Sequence, residues 1–250
     1  MILAQANYTA VVVPMILCLA TFIRSTFGFG EALVSVPLLA LLIPVRVATP
    51  LAVLVSVTVA LIVVAQDWRH VQVRSAGWLV ISSVFGIPLG LLVLKSAPDA
   101  VVKALLAMVI LVFSIYSLRR DAGRELKNDR LAWLFGFTAG MLGGAYGMNG
   151  PPLVVYGALR RWSPAHFRAT LQGYFLFASA LVMFGYLKSG LWTHDVSRYY
   201  VSSLPGVVVA VLLGRAANHR MQDRRFYRFA FVGLALIGVT LLVEAFEERW

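Results

Sequence analysis

Two charged residues, Arg24 and Glu31, flank a glycine break, Phe27-Gly28-Phe29-Gly30, in a stretch that is otherwise apolar. A charge in such surroundings is costly unless it pairs, reaches water or binds something. Arg24 therefore has two readings. It is a guanidinium that fork-bonds an anion, or it ends an apolar segment and snorkels to the surface. Glu31 has three: a proton-coupling carboxylate, a first-turn acid favoured by the helix dipole, or the partner of Arg24.

A second break is richer: Gly143-Gly144-Ala145-Tyr146-Gly147-Met148-Asn149-Gly150-Pro151-Pro152. Its glycines and paired prolines cannot continue an ordinary helix. Broken helices leave free backbone N–H groups at their new N-termini, which attract anions without a basic side chain. A helix beginning at Pro151 suits this, with Asn149 and Gly150 before it as caps. Gly30-Glu31 is the equivalent start in the first half. The hydroxyls of Ser25, Thr26 and Tyr146 and the amide of Asn149 could donate to an oxyanion. The candidate substrate site is thus Arg24, Ser25, Thr26, Gly28, Gly30, Tyr146, Gly147, Asn149, Gly150 and Pro151. Gln172, polar in an apolar aromatic segment, joins them or makes an interhelical hydrogen bond. Glu31 is the coupling candidate. Thr49 and Thr170 back the site or cap helices. The competing reading of the glycines is close helix packing: Gly136, Gly140 and Gly144 form a small-xxx-small ridge, and Gly86 with Gly90 another.

These residues need elements that can hold them in lipid. The chain has 250 residues, 60% hydrophobic and 13% charged, against roughly 45–50% and 25% in soluble domains. Ten apolar segments recur at 9–25, 31–44, 47–66, 76–95, 99–118, 131–146, 151–159, 167–188, 197–214 and 226–246. A full crossing takes about 20 residues at about 1.5 Å each. The segments 31–44 and 151–159 fall short and read as half-helices or re-entrant pieces. The expectation is a single all-α membrane domain over 1–250, in contact with the bilayer.

Basic residues fall mainly into alternate loops: Arg24; Arg69 and Arg74; Arg119, Arg120, Arg124, Lys127 and Arg130; Arg160, Arg161 and Arg168; Arg215, Arg220, Arg224 and Arg225. Arg46, Lys95, Lys188 and Arg249 lie in the others. By the positive-inside rule the first set is cytoplasmic and both termini are non-cytoplasmic. This accounts for the net charge of +11 as topology rather than nucleic-acid binding. No basic residue precedes the first apolar run, so no cleaved signal peptide is expected. The halves also match: Phe27-Gly28 with Tyr146-Gly147, Pro44-Val45-Arg46 with Pro164-Ala165-His166, and Lys103 with Arg228. Repeat 1 covers 9–118, a cytoplasmic linker 119–130, and repeat 2 131–246. Five segments per repeat invert the second relative to the first. Glycine-broken segments at corresponding places in inverted halves point to a transporter's binding site.

Other chemistry is missing from the pattern. No Walker A, G-x-S-x-G, H-E-x-x-H or paired-cysteine motif occurs, so no enzyme, metal or cofactor is expected. The single cysteine, Cys18, reads as a buried small hydrophobe. His70, His166, His194 and His219 sit at segment ends as interfacial residues. Trp68, Trp78, Trp133, Trp162 and Trp192 fit an aromatic belt. A homo-oligomer is left open.

Gly28-Phe29-Gly30 running into Val36-Pro37-Leu38-Leu39, with Gly143 to Pro152 opening the second half, resembles the two signature stretches of the TauE/SafE sulfite exporter family. The resemblance covers nearly the whole chain. One departure is Glu31, where a small residue is expected. The family implies a bacterial inner-membrane permease for sulfite, sulfoacetate and other organosulfonates. A transporter or channel for another small anion, such as a carboxylate, is the alternative.

Overall fold

A computed structural model of the chain describes residues 2–67, 73–119, 126, 131–162, 164–218 and 224–247. Trp68, His70, His219 and most of the 119–130 linker lie outside the described residues, as do the side chains of His166, Arg168 and Gln172. Every regular element among the described residues is helical: α1 Ile2–Phe27, α2 Glu31–Ala40, α3 Val45–Asp67, α4 Val73–Ser96, α5 Asp99–Arg119, α6 Ala132–Tyr146, α7 Gly150–Leu159, α8 Pro164–Lys188, α9 His194–Asn218 and α10 Arg224–Glu247. Each coincides with an apolar segment of the sequence. Helices are the expected outcome, because a backbone in hydrocarbon must satisfy its own N–H and C=O groups within the segment.

Windows in α1, α3, α4, α5 and α9 are long and apolar enough to cross a membrane. The 31–44 segment folds as the ten-residue α2 and a turn, and the 151–159 segment as the ten-residue α7. At about 1.5 Å per residue, each covers about half of a bilayer core. The molecule is apolar outside as well as inside. Val11, Met15 and Leu19 on α1, Phe85, Leu89 and Leu92 on α4, and Leu236, Val239 and Val243 on α10 all point outward, where lipid rather than water would solvate them.

α3 is the central element, with Ala48, Leu51, Ala52, Val55 and Val59 fully buried. α2 runs back along its first half, so the N-terminus of α2 lies beside Ser56, the middle residue of α3. Two parallel pairs flank this centre. On one side α6 lies against α4, Gly136 beside Leu79 and Ser82, Gly140 beside Ser83, and Gly144 beside Ile87. On the other, α1 lies against α9, with Gly206 beside Cys18 and Gly214 beside Phe22 and Ser25. α5 and α10 pack antiparallel, Leu111 against Gly238 and Lys103 3.8 Å from Glu244.

The α4–α6 contact is backbone on backbone. A Cβ at Gly86, Gly90, Gly140 or Gly144 would overlap a carbonyl oxygen of the facing helix. In lipid there is little hydrophobic gain from bringing apolar helices together, so close van der Waals approach has to hold them. The small-xxx-small reading of these glycines therefore describes their environment. Gly140→Val is expected to lower stability in detergent by about 1–3 kcal/mol through overpacking. Gly77→Ala, where nothing lies within 4 Å of the added carbon, should not destabilise; thermal unfolding of the two variants measures the difference.

Candidate functional site

Both helix breaks are made by left-handed glycines. α1 ends where Gly28 turns to φ 85°, and α2 starts after Gly30 at φ 99°; α6 ends at Gly147, φ 66°. Glycine reaches this region without the Cβ clash that other residues meet. Gly147 still donates its N–H to Gly143 at 2.8 Å, and Met148 donates to Leu142 at 3.2 Å. The α6 terminus is thereby satisfied as the chain turns away.

The turns bring the two breaks to one small cavity, about 30 Å³. Arg24, Gly30 and Glu31 border it from the first break, and Gly147, Met148, Gly150 and Pro151 from the second. Ser56 of α3 and Phe175 and Ser179 of α8 complete the wall. At roughly 10–15 Å³ per water, this space is smaller than an organic anion requires.

Arg24 does not snorkel. It is 3% exposed, and its Nη1 donates to Glu31 Oε2, to the Ser56 hydroxyl and to the Ser56 carbonyl at 3.2 Å. Its guanidinium carbon lies 5.2 Å from the centre of the Phe175 ring, within cation–π range. One corner of the guanidinium is thus tied to the protein. Among the described residues the Nε and Nη2 atoms have no hydrogen-bond partner, nor has Glu31 Oε1. An Nε–Nη2 edge is one that can bond two oxygens of an oxyanion in parallel. Glu31 is 2% exposed, so of its three readings partnership with Arg24 is realised in the geometry.

The other candidates divide. Thr26 donates to Phe22 and Gly214 carbonyls, at 2.8 and 3.3 Å, and Ser25 packs against Gly214. Both face α9. The Tyr146 hydroxyl donates to the Val102 carbonyl at 3.0 Å, toward α5. Asn149 is buried behind the cavity wall, its side chain over Gly143 and near Tyr174. Its expected capping bond is missing: α7 begins at Gly150 without a side-chain cap. Pro151 and Pro152 also remove two of the first N–H groups of α7. The N-terminus of α2, which carries no such prolines, opens on the cavity with Glu31, Ala32 and Leu33. Thr49 and Thr170 are buried and do not line the cavity; the Thr49 backbone lies behind Gly147. Among the described residues no group of histidine, cysteine or carboxylate side chains could hold a metal.

Residues 13–241 match the sulfite exporter TauE/SafE family. The chain belongs to this family. It is 28% identical over 233 residues to a protein of Cupriavidus necator named as a probable sulfite/organosulfonate exporter, the alignment covering 90% of each chain. No solved structure matches. Family membership makes this a multi-pass membrane protein of a transporter family, with Arg24 and Glu31 at the junction of its broken helices.

Breaking one partner of a buried ion pair leaves an uncompensated charge and costs about 3–5 kcal/mol, whereas an apolar replacement of both is close to neutral. Arg24→Met alone should therefore be strongly destabilised. Arg24→Met combined with Glu31→Leu should recover most of the loss. Unfolding of the single and double variants in detergent checks this.

Proposed function

We propose that this protein moves small sulfur-containing anions, sulfite or organosulfonates, across the bacterial inner membrane by gradient-driven alternating access. The observation that carries the reading is the buried Arg24 guanidinium, whose Nε–Nη2 edge lacks a partner among the described residues, at a cavity bordered by both helix breaks. The name of the Cupriavidus relative points to the same anions. On this reading Arg24 binds the anion, Gly30, Gly147, Gly150 and Pro151 shape the site, and Glu31 is the coupling residue. Gly28, Tyr146 and Asn149 support the breaks from behind, and Ser25 and Thr26 hold α1 against α9. The small cavity corresponds to a closed conformation that widens as the breaks separate.

The architecture we propose is two inverted repeats, 9–118 and 131–246, joined by a cytoplasmic linker at 119–130 with both termini outside. Two independent features support it. Lys and Arg concentrate in alternate loops. Helix partnerships are also reciprocal: the first helix of each half packs parallel to the fourth of the other, α1 with α9 and α6 with α4, while α5 meets α10. Export is the direction that the name of the Cupriavidus relative implies.

Proteoliposomes loaded with labelled sulfite or an organosulfonate test the function. Saturable efflux is expected, competed by the other sulfur anion and less by lactate. Arg24→Lys, which keeps the charge and loses the fork, should reduce it at least about tenfold, as loss of a bidentate contact would. Preferential competition by lactate would replace the sulfur-anion reading with a carboxylate one, and conductance without saturation would make the protein a channel. An impermeant thiol reagent should reach a cysteine placed at Ala122 from the cytoplasmic side alone; labelling from outside would invert the topology.

A further inference from the structure

The charges around the cavity bear on what travels with the anion. Of the residues that line it, Arg24 and Glu31 are the charged ones. Thr21 and Arg24 from α1 and Ser56 from α3 face the Glu31 carboxylate, and Phe175 and Ser179 from α8 and Met148 from the second break line the cavity beside it. Arg24 is the one other ionisable group in that set. The empty site is therefore neutral, one guanidinium against one carboxylate, and almost wholly out of water.

A single-charged anion arriving on the Nε–Nη2 edge of Arg24 makes the buried cluster negative by one charge. Taking an uncompensated charge out of water is expensive, and among the described residues no second cation lines the wall to offset it. Glu31 Oε1, however, has no hydrogen-bond partner among the described residues. A proton there converts the carboxylate to a neutral acid, and the loaded cluster becomes guanidinium plus anion, again neutral.

We propose that each monovalent anion crosses together with one proton carried on Glu31, in the same direction, and that the neutral Arg24–Glu31 pair closes the site for the empty return. The inference rests on the reading of this cavity as the anion site. The proton is taken up from water on the side where the anion enters and released to water where it leaves, and no bond other than that O–H forms or breaks. Transport of a monovalent anion then carries no net charge. A dianion such as sulfate leaves the loaded site negative even with the proton bound, so the site discriminates against it. Anion affinity and proton binding are linked, so affinity rises as pH falls, toward a limit of about tenfold per pH unit for one linked proton.

Methanesulfonate, whose single charge does not titrate in the working range, is the probe. Flux, internal pH and dependence on a potassium–valinomycin potential are measured in the same proteoliposomes. For the natural protein, a methanesulfonate gradient should move protons one for one, with a rate unaffected by the potential and with sulfate a poor competitor. In Glu31→Gln, proton movement should vanish, flux should become potential-dependent, and the pH dependence of affinity should flatten. Glu31→Asp, which keeps a titratable carboxyl, should retain the proton. Potential-driven methanesulfonate flux without proton movement in the natural protein overturns this inference while leaving the anion-site reading intact, whatever the fate of the variants. Absence of flux for methanesulfonate, sulfite and lactate in folded protein overturns both.

Discussion

A guanidinium and a carboxylate held against each other away from water are the constraint around which this molecule is built. Neither Arg24 nor Glu31 tolerates burial without the other, and they sit on different helices on opposite sides of a glycine turn. Their pairing requires α1 to stop, the chain to reverse through left-handed Gly28 and Gly30, and α2 to start with its first residue beside the end of α1. Ser56 fixes the pair to the middle of α3 through its hydroxyl and its carbonyl. The carbonyl can accept from Arg24 because a backbone C=O has a second lone pair beyond the one used in the helix. Phe175 brings α8 to the same point through its ring face.

Around that polar centre the scaffold is held by contacts of a different kind. Lipid-facing helices gain little from hiding apolar surface, so stability has to come from close approach and from the few buried hydrogen bonds. The glycines of α4 and α6 permit that approach on one flank. Gly206 and Gly214 of α9 do so on the other, where they meet Cys18 and Ser25 of α1. Tyr186 of α8 reinforces the first flank by donating to the Gly144 carbonyl at 2.8 Å, and Arg46 ties α3 to the end of α4 through the Leu94 and Ala97 carbonyls. Rigid pairs on either side of a polar junction are the mechanical requirement of the alternating-access reading, because the junction can open only if its walls move as units.

The two breaks are unequal in chemistry although similar in shape. The first carries both charges and a helix start with available N–H groups. The second carries two prolines where such N–H groups would be, and contributes small residues and Met148 to the wall. Anion recognition on the proposed reading is therefore concentrated on one half, with the other half supplying the surface against which it closes. Arg24 and Glu31 on the first break and Pro151 and Pro152 on the second are the source of that asymmetry.

Much of this was legible in the residue order. Helix class, the ten segments, the short second and seventh helices and both break points follow from local physics: apolar run length against bilayer thickness, and glycine and proline against helix continuity. The oddity of Arg24 and Glu31 was visible too, since a charge in an apolar run needs an explanation at any stage. What the residue order could not decide was direction. Snorkelling, anion binding and pairing are equally compatible with Arg24 as a letter in the sequence; only the arrival of Ser56 and Phe175 from distant helices excludes the surface. The same holds for the neighbours Ser25, Thr26 and Tyr146, whose hydroxyls look equivalent in the sequence but face α9 and α5. Ser56, Phe175 and Ser179 are not legible in the sequence, because a lone serine or phenylalanine in an apolar span carries no local signal. A break position is a property of the chain within one turn of helix, whereas a site is a property of which faces meet, and that is set by helix packing across the whole molecule.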